Sequence, residues 1–536
     1  MIEPERVAGS ASPRSGTIAI ALIAIVIAGA VALLYGPALS LTLTGDSYQW
    51  IQHAHLAAHR PALLVADLDT FYRPSTTWTL VLDRLVWGGF DARGYRTTSL
   101  LLHGIVALVL AVAGRRLGLG WIAAAAVGSI WLTSPFTDES AFIVAYRFQP
   151  LLLLSWLVLI AAWPRPEERW SGLRLAIAIA AVFGAAAAKE TWVVTPVLVA
   201  ALAYERERKW RAVLTPVIAV GGAVAVYLML YFVAFPTSKS YFEFGPHIIA
   251  KIPSQLAAFF LLEESIPHDL SLTIGGGISF ILFAAAGFAC IKWRVPGAPV
   301  AVALFLLPTL PTLLVPYMPQ RYLAIPYAGF LLLIALWVQA VGERRARWRP
   351  VIRGTTCASV VVVMAVGVST VRADLEDHRT MAAAHAVLLG EAREMAEVFV
   401  DDTPVAVIRD EGTSPLVDVI QAPVGYPKLA FIRNYDPYGL IDAAALFEWV
   451  LADEGRFVEH VADWTTESED VEGMLFVHRD GGFVNLGVAE NLAEQARRWS
   501  DSGRGVQVIR ASSLQSPGYL ELVLREPFWR GIGPGG

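Results

Sequence analysis

The residues of this chain that could do chemistry are carboxylates and cations in the segments that join long apolar runs. A positioned carboxylate can accept the proton of an attacking hydroxyl, and a cation can stabilise the negative charge that develops on a departing phosphate. Removing such groups from water at a membrane is costly, so their presence there favours a functional role. They are Asp46, Asp67, Asp69, Glu139, Arg147, Lys189, Glu190 and Arg321 with its neighbour Tyr322.

The acids of the first joining segment also have structural explanations. Asp46 precedes Gln49 by three positions, as in a capping box, so it could begin a helix whether or not it acts in catalysis. Asp67 and Asp69 would share one face of an extended segment and could hold a divalent cation. Solvated loop acids are the commoner explanation for such a pair.

The later charged residues leave the same choice open. Lys189 and Glu190 are adjacent, and adjacent residues of a helix do not face each other, so each could only neutralise a neighbour across a bundle. Arg321 follows a proline-rich run that kinks or breaks a helix. Its guanidinium suits a phosphate, while snorkelling to the membrane interface is the structural alternative.

The composition indicates a membrane protein with an aqueous domain. The chain has 536 residues and a net charge of −5, which argues against a nucleic-acid partner, and only 17% of its residues are charged against about 25% in soluble domains. Residues 373–536 hold 13 basic and 28 acidic side chains, or −15, which leaves +10 for the rest. Cys290 and Cys357 are the two cysteines, so no disulfide framework is expected.

Eleven apolar runs have lengths near those of membrane spans. They cover about residues 17–38, 98–114, 119–135, 149–163, 173–188, 190–204, 212–234, 271–291, 296–315, 323–341 and 352–371. The first is too long for a signal-peptide core, so we expect a retained anchor. Lys and Arg concentrate in every second joining segment, which predicts a cytoplasmic N-terminus and an extracytoplasmic tail.

Two extracytoplasmic loops, 39–97 and 235–270, are long. Each contains an amphipathic stretch, 76–86 and 247–262, that we expect to form a helix along the outer membrane surface. The tail begins with a helical run over 373–400. It continues with β-rich pieces at 404–408, 482–486, 506–509 and 520–524 and helical pieces at 442–451 and 490–499, which predict a small α/β domain.

These residues resemble the GT-C superfamily of polytopic glycosyltransferases, most closely the membrane half of the tetratricopeptide-containing protein O-mannosyltransferases and related bacterial enzymes. The likeness covers about residues 17–340. Four stretches carry it: Gly45-Asp46; Tyr72-Arg73-Pro74 through Leu101-Leu102-His103 to Arg115-Arg116; Ser134-Pro135 through Glu139 to Arg147; and Ala188-Lys189-Glu190 with Arg321-Tyr322-Leu323-Ala324-Ile325-Pro326.

The resemblance implies a mainly α-helical transmembrane domain over 1–372 and a soluble α/β domain over 373–536. It also implies a polyprenyl-phosphate-linked sugar donor and inverting transfer to an acceptor. Asp46 and Glu139 match the catalytic positions, and the implied substrate-binding residues are Arg73, His103, Arg147, Lys189, Glu190, Arg321 and Tyr322.

The chain departs from the family in two ways. Ser47 follows Asp46 where many relatives have a second acid, so a divalent cation, with Asp67 and Asp69 as weak candidate ligands, is the one cofactor left open. The tetratricopeptide tail is absent, so the acceptor of those relatives is not carried over. A lipid or solute transporter and a non-catalytic membrane scaffold remain the alternative functions.

Overall fold

A computed structural model describes residues 13–41, 43, 47–59, 61–65, 72–87, 92–234, 281, 283–313 and 320–396, together with four strands between residues 405 and 509. The described chain forms two compact units. The first comprises Met1–Leu39, Arg96–Phe142 and Tyr146–Leu375, and the second comprises Ser40–Tyr95, Ile143–Ala145 and Glu376–Gly536. The predicted domain boundary at residue 372 stays a prediction.

The described helices follow one another with short connections. They are α1 Pro13–Tyr35, α2 Ser47–His59, α3 Pro74–Trp87, α4 Ala92–Arg116, α5 Trp121–Leu132, α6 Pro135–Phe142, α7 Phe148–Ala162, α8 Gly172–Ala188, α9 Thr195–Glu207, α10 Trp210–Ala234, α11 Phe283–Lys292, α12 Ala298–Leu313, α13 Ala324–Arg344 and α14 Arg349–Ala396.

A helix lies at each of the eleven predicted span positions, although α9 contributes only 13 residues. Among the described residues, five helical segments are long and apolar enough to cross a membrane: Gly16–Ser40, Ala92–Arg116, Val144–Ala162, Arg321–Arg344 and Arg349–Thr380. The helical bundle is therefore confirmed. The number of spans stays a prediction.

Glycines allow helices of the first unit to approach closely. A Cβ atom built on Gly128 of α5 would lie 2.5 Å from the Ala107 carbonyl oxygen of α4. One built on Gly329 of α13 would lie 2.4 Å from the Phe305 nitrogen of α12. Small residues at such crossings permit the backbone contacts that hold helices together in lipid.

The turns with most of the predicted cytoplasmic charge meet at one end of the first unit. Arg116 bonds Glu168, and the Arg206 guanidinium donates to the Glu168 carbonyl at 3.2 Å. Arg344 donates to the Trp293 carbonyl at 3.1 Å. Because α7 ends here and α8 begins here, the start of α7 and the end of α8 lie at the opposite end.

In the second unit, α2 packs against α3, and the Trp78 indole of α3 donates to the Leu64 carbonyl at 2.8 Å. Apolar residues of α3, including Leu85 and Val86, are exposed, whereas Asp83 is buried. This inverted amphipathicity suits a helix whose outer face meets lipid. A helix at the predicted 76–86 stretch is confirmed, and the 247–262 stretch lies outside the described residues.

The tail contains a four-stranded sheet with the strand order β3-β2-β1-β4. The strands are β1 Val405–Arg409, β2 Gly473–Arg479, β3 Gly482–Ala489 and β4 Gly505–Ile509. The β1–β2 pair is parallel, and the other two pairs are antiparallel. Strand β2 was not predicted. The predicted strand 520–524 and both predicted tail helices after residue 400 lie outside the described residues, so the α/β domain stays a prediction.

Candidate functional site

Glu139 and Arg321 form an ion pair between segments that are 182 residues apart in sequence. Glu139 lies on α6, a helix of eight residues that is almost wholly buried. Arg321 lies in the 3-10 turn Gln320–Leu323 that leads into α13. Its backbone N–H donates to one carboxylate oxygen of Glu139 at 3.1 Å, and its guanidinium donates to the other. This two-point contact fixes the direction of the guanidinium.

Aromatic rings hold the cations of this site. The guanidinium carbon of Arg321 lies 3.9 Å from the ring centroid of Tyr146 and 5.4 Å from that of Tyr322. The Nζ of Lys189 lies 3.9 Å from the Tyr322 centroid, so this ring contacts two cations. We call Glu139, Tyr146, Lys189, Arg321 and Tyr322 the Arg321 cluster.

A break in the helix places Lys189 in the cluster. The helix α8 ends at Ala188, and Lys189 has extended backbone angles, φ −163° and ψ 148°, before the 3-10 turn Glu190–Val194 begins. The Lys189 side chain is only 5% exposed, and its Nζ also lies 5.3 Å from the ring centroid of Phe148. The sequence predicted a bend here, and the structure has two separate helices. Glu190 is half-buried at the start of the turn.

Arg147 lies beside the cluster in sequence and is fully buried. Its Nε donates to the Ser99 hydroxyl of α4 at 2.8 Å. One turn further along α4, the buried His103 ring packs 5.9 Å from the Tyr35 ring and 5.1 Å from the Trp131 ring. These aromatic contacts of His103 are packing contacts, and its predicted role in substrate binding stays a prediction.

The remaining predicted residues lie away from these contacts or outside the described residues. Arg73 belongs to the second unit, where its side chain is buried and its carbonyl accepts the backbone N–H of Thr76 at 3.0 Å, at the start of α3. Asp46, Asp67 and Asp69 lie outside the described residues. No group of three potential metal ligands occurs in the part of the chain that the structure describes.

The cluster combines two cations and one carboxylate under aromatic cover. A guanidinium and an ammonium held a few ångströms apart on one ring can together bind a phosphate, which neither would bind as tightly alone. Sequence reasoning missed Tyr146 and Phe148. Both flank Arg147, so aromatic residues interleaved with a singled-out cation were the available signal.

Comparison with known proteins finds similarity in structure and not in sequence. No protein-family model and no curated protein matches the chain. The fold is similar to that of ArnT from Cupriavidus metallidurans bound to undecaprenyl phosphate, at 15% identity and a TM-score of 0.51 over 84% of this chain and 92% of that one. The apo structure of the same protein gives 14% identity and a TM-score of 0.49, over 94% of this chain and 100% of that one. ArnT is a GT-C glycosyltransferase, so the chain is an integral membrane protein with the GT-C fold that the resemblance predicted.

Proposed function

We propose that the chain is a membrane glycosyltransferase that transfers a sugar from a polyprenyl-phosphate-linked donor to an extracytoplasmic acceptor. The observation that carries this proposal is the Arg321 cluster, in which two cations share one aromatic ring. The fold supports it, because the ArnT structure of this fold holds undecaprenyl phosphate. In this proposal the donor phosphate contacts Lys189 and Arg321.

The proposed reaction inverts the anomeric centre. An acceptor hydroxyl oxygen attacks the anomeric carbon while the bond from that carbon to the phosphate oxygen breaks. Asp46 takes the hydroxyl proton, and polyprenyl phosphate leaves with the negative charge that Lys189 and Arg321 stabilise. Glu139 orients Arg321 through the two hydrogen bonds described above and is the second carboxylate within reach of the phosphate site.

The other predicted residues are assigned supporting roles. Arg147, Glu190 and His103 would shape the donor site from the surrounding helices, and Arg73 would contact substrate from the second unit. A divalent cation, if the reaction uses one, would bind Asp67 and Asp69, and a chelator would then abolish turnover.

The proposed topology places this chemistry outside the cytoplasm. Eleven spans over 1–372 give a cytoplasmic N-terminus and an extracytoplasmic domain over 373–536, which would help to select the acceptor. Basic turns that meet at the end of the first unit opposite Lys189 support this orientation, because Lys and Arg collect on the cytoplasmic side.

The decisive experiment measures the fate of the donor. Full-length protein in liposomes is supplied with an undecaprenyl-phosphate-linked hexose or pentose and with a membrane extract as acceptor source, and released undecaprenyl phosphate is quantified. We expect release by the wild-type protein and a loss of about a hundredfold or more in Asp46→Asn and Arg321→Gln. Arg353→Gln, an exposed residue of α14, is the matched control with normal release.

Two results would refute the proposal. Movement of the intact donor across the bilayer with no release would identify a transporter. Normal release by a variant that combines Asp46→Asn, Glu139→Gln and Arg147→Gln would remove these residues from catalysis and favour a scaffold. A separate binding measurement with undecaprenyl phosphate and undecaprenol tests the phosphate site directly, because the two lipids differ only in the phosphate.

A further inference from the structure

A second cluster of ionised groups surrounds Glu168, at the end of the first unit away from Lys189. Both oxygens of the Glu168 carboxylate accept hydrogen bonds from Arg116, at 3.1 and 3.2 Å. Arg174 donates to the same carboxylate at 2.5 Å, and the backbone N–H of Arg165 donates at 3.1 Å. Arg206 donates to the Glu168 carbonyl at 3.2 Å. One loop carboxylate therefore joins the ends of α4, α7, α8 and α9.

This cluster contains more positive than negative charge. We define the Glu168 cluster as Arg116, Arg165, Glu167, Glu168, Arg169, Arg174, Arg206 and Glu207, which hold five guanidinium groups and three carboxylates. Burial opposes ionisation of Glu168, but hydrogen bonds from Arg174, Arg116 and the Arg165 backbone, with the charge of Arg116, lower its pKa to about 2. Glu168 is thus fully ionised at neutral pH, and a surplus of two positive charges remains.

The surroundings of the surplus charge are those of a membrane interface. Trp163 and Trp170 pack edge to face at 5.1 Å and bracket the loop. Trp170 is 37% exposed and Leu173 is 72% exposed, so apolar surface adjoins the arginines. The indole nitrogen of Trp163 is buried with no acceptor among the described residues. Tryptophans at the headgroup level beside clustered arginines are typical of contact with lipid headgroups.

We propose that the Glu168 cluster binds the phosphate group of an anionic ligand at the end of the bundle opposite the Arg321 cluster. Guanidinium groups match phosphate oxygens in geometry, and the N-terminus of the 17-residue helix α8 points its free N–H groups into the same loop. The exposed Trp170 and Leu173 favour a glycerophospholipid as the source of the phosphate, with its acyl chains along the adjoining apolar surface.

The test uses full-length protein and soluble short-chain lipids. Dihexanoyl phosphatidylglycerol, dihexanoyl phosphatidylcholine and inorganic phosphate are titrated separately, and binding is read from the thermal midpoint and from tryptophan fluorescence. The variant Arg165→Gln/Arg169→Gln removes two cations whose side chains take no part in the hydrogen bonds to Glu168. The control Arg345→Gln/Arg353→Gln removes two exposed cations near the start of α14.

We expect the anionic lipid to bind the wild type and the control equally. Binding to Arg165→Gln/Arg169→Gln should weaken by about fivefold per arginine lost, while the ligand-free midpoint stays unchanged. A preference for phosphatidylglycerol over inorganic phosphate identifies the lipid headgroup as the source, and equal binding of both identifies a free phosphate. Equal loss in the control pair, or equal binding of phosphatidylcholine, would overturn the proposal.

Discussion

At the scale of single residues, Tyr322 holds the proposed phosphate site together, because its ring lies 3.9 Å from the Lys189 Nζ and 5.4 Å from the Arg321 guanidinium carbon. Its hydroxyl is not needed for that contact. We predict that Tyr322→Phe binds undecaprenyl phosphate as the wild type does, whereas Tyr322→Leu binds it about 2- to 30-fold more weakly, the range of a cation–π contact. Equal weakening in both variants would assign the effect to the hydroxyl instead.

Glu168 gives the protein a predictable response to acid. Because its pKa is about 2 in the folded protein, below its ordinary value of 4.5, its ion pairs stabilise the fold at pH values above 4.5. That contribution is lost as the pH falls from 4.5 towards 2. We predict that Glu168→Gln lowers the thermal midpoint at pH 7 and that the difference from the wild type shrinks steadily towards pH 3.

The matched control for this prediction is Glu376→Gln. Glu376 pairs with Arg379 at 3.0 Å, but its side chain is 68% exposed, and such pairs contribute little. We expect its midpoint to follow that of the wild type at every pH. A constant gap between Glu168→Gln and the wild type from pH 7 to pH 3 would contradict the assigned pKa.

The site residues could be predicted from the sequence only in part. Cations and acids between apolar runs marked Glu139, Lys189 and Arg321, because charge near lipid is rarely incidental. The pairing of Glu139 with Arg321 could not be predicted, since it depends on how α6 and α13 pack across 182 residues of sequence. The partner of Arg147, the Ser99 hydroxyl, was missed for the same reason.

At the scale of elements, helix positions followed from hydropathy because a membrane span must be long, apolar and internally hydrogen-bonded. The helix α6 was missed. Its eight residues, which include Asp138 and Glu139, are too short and too polar for a span, and they are helical because they are buried inside the bundle. The strand β2, Gly473–Arg479, was also missed, although its neighbours in the sheet were found. Its apolar residues, Met474-Leu475-Phe476-Val477, run without the alternation that marks a half-exposed strand.

Packing of α13 on α12 depends on Gly329. We predict that Gly329→Ala lowers stability by about 1–3 kcal/mol, because its Cβ would lie 2.4 Å from a backbone nitrogen and 2.7 Å from a backbone carbon that cannot move alone. Gly29→Ala in α1 is the control, since nothing lies within 4 Å of its Cβ. It should be neutral or stabilise the helix by up to about 1 kcal/mol. Thermal unfolding of both variants in one detergent decides between the two outcomes.

At the scale of the whole molecule, α13 connects the two ends of the first unit. Arg321 contacts Glu139 just before α13 begins, and Arg344 near its end contacts the Trp293 carbonyl among the basic turns. A phosphate on a lipid donor can reach the Arg321 cluster only if that end faces one leaflet, while the Glu168 cluster faces the other. The orientation of the chain therefore decides which compartment the proposed transfer serves.

We predict that protease added to intact spheroplasts digests the tail after residue 396, and that the same protease leaves the tail intact in inside-out vesicles. The reason is charge: the turns that carry Arg116, Arg206 and Arg344 meet at one end, and retention of Lys and Arg on the cytoplasmic side fixes that end inward. An odd number of spans then leaves the acidic tail outside. A tag at the N-terminus should show the opposite pattern and serves as the internal control. If the tail were protected in spheroplasts and digested in inside-out vesicles while the tag kept its predicted side, the span count would be even. If both patterns were reversed, the Arg321 cluster would face the cytoplasm and the proposed donor would have to be presented from that side.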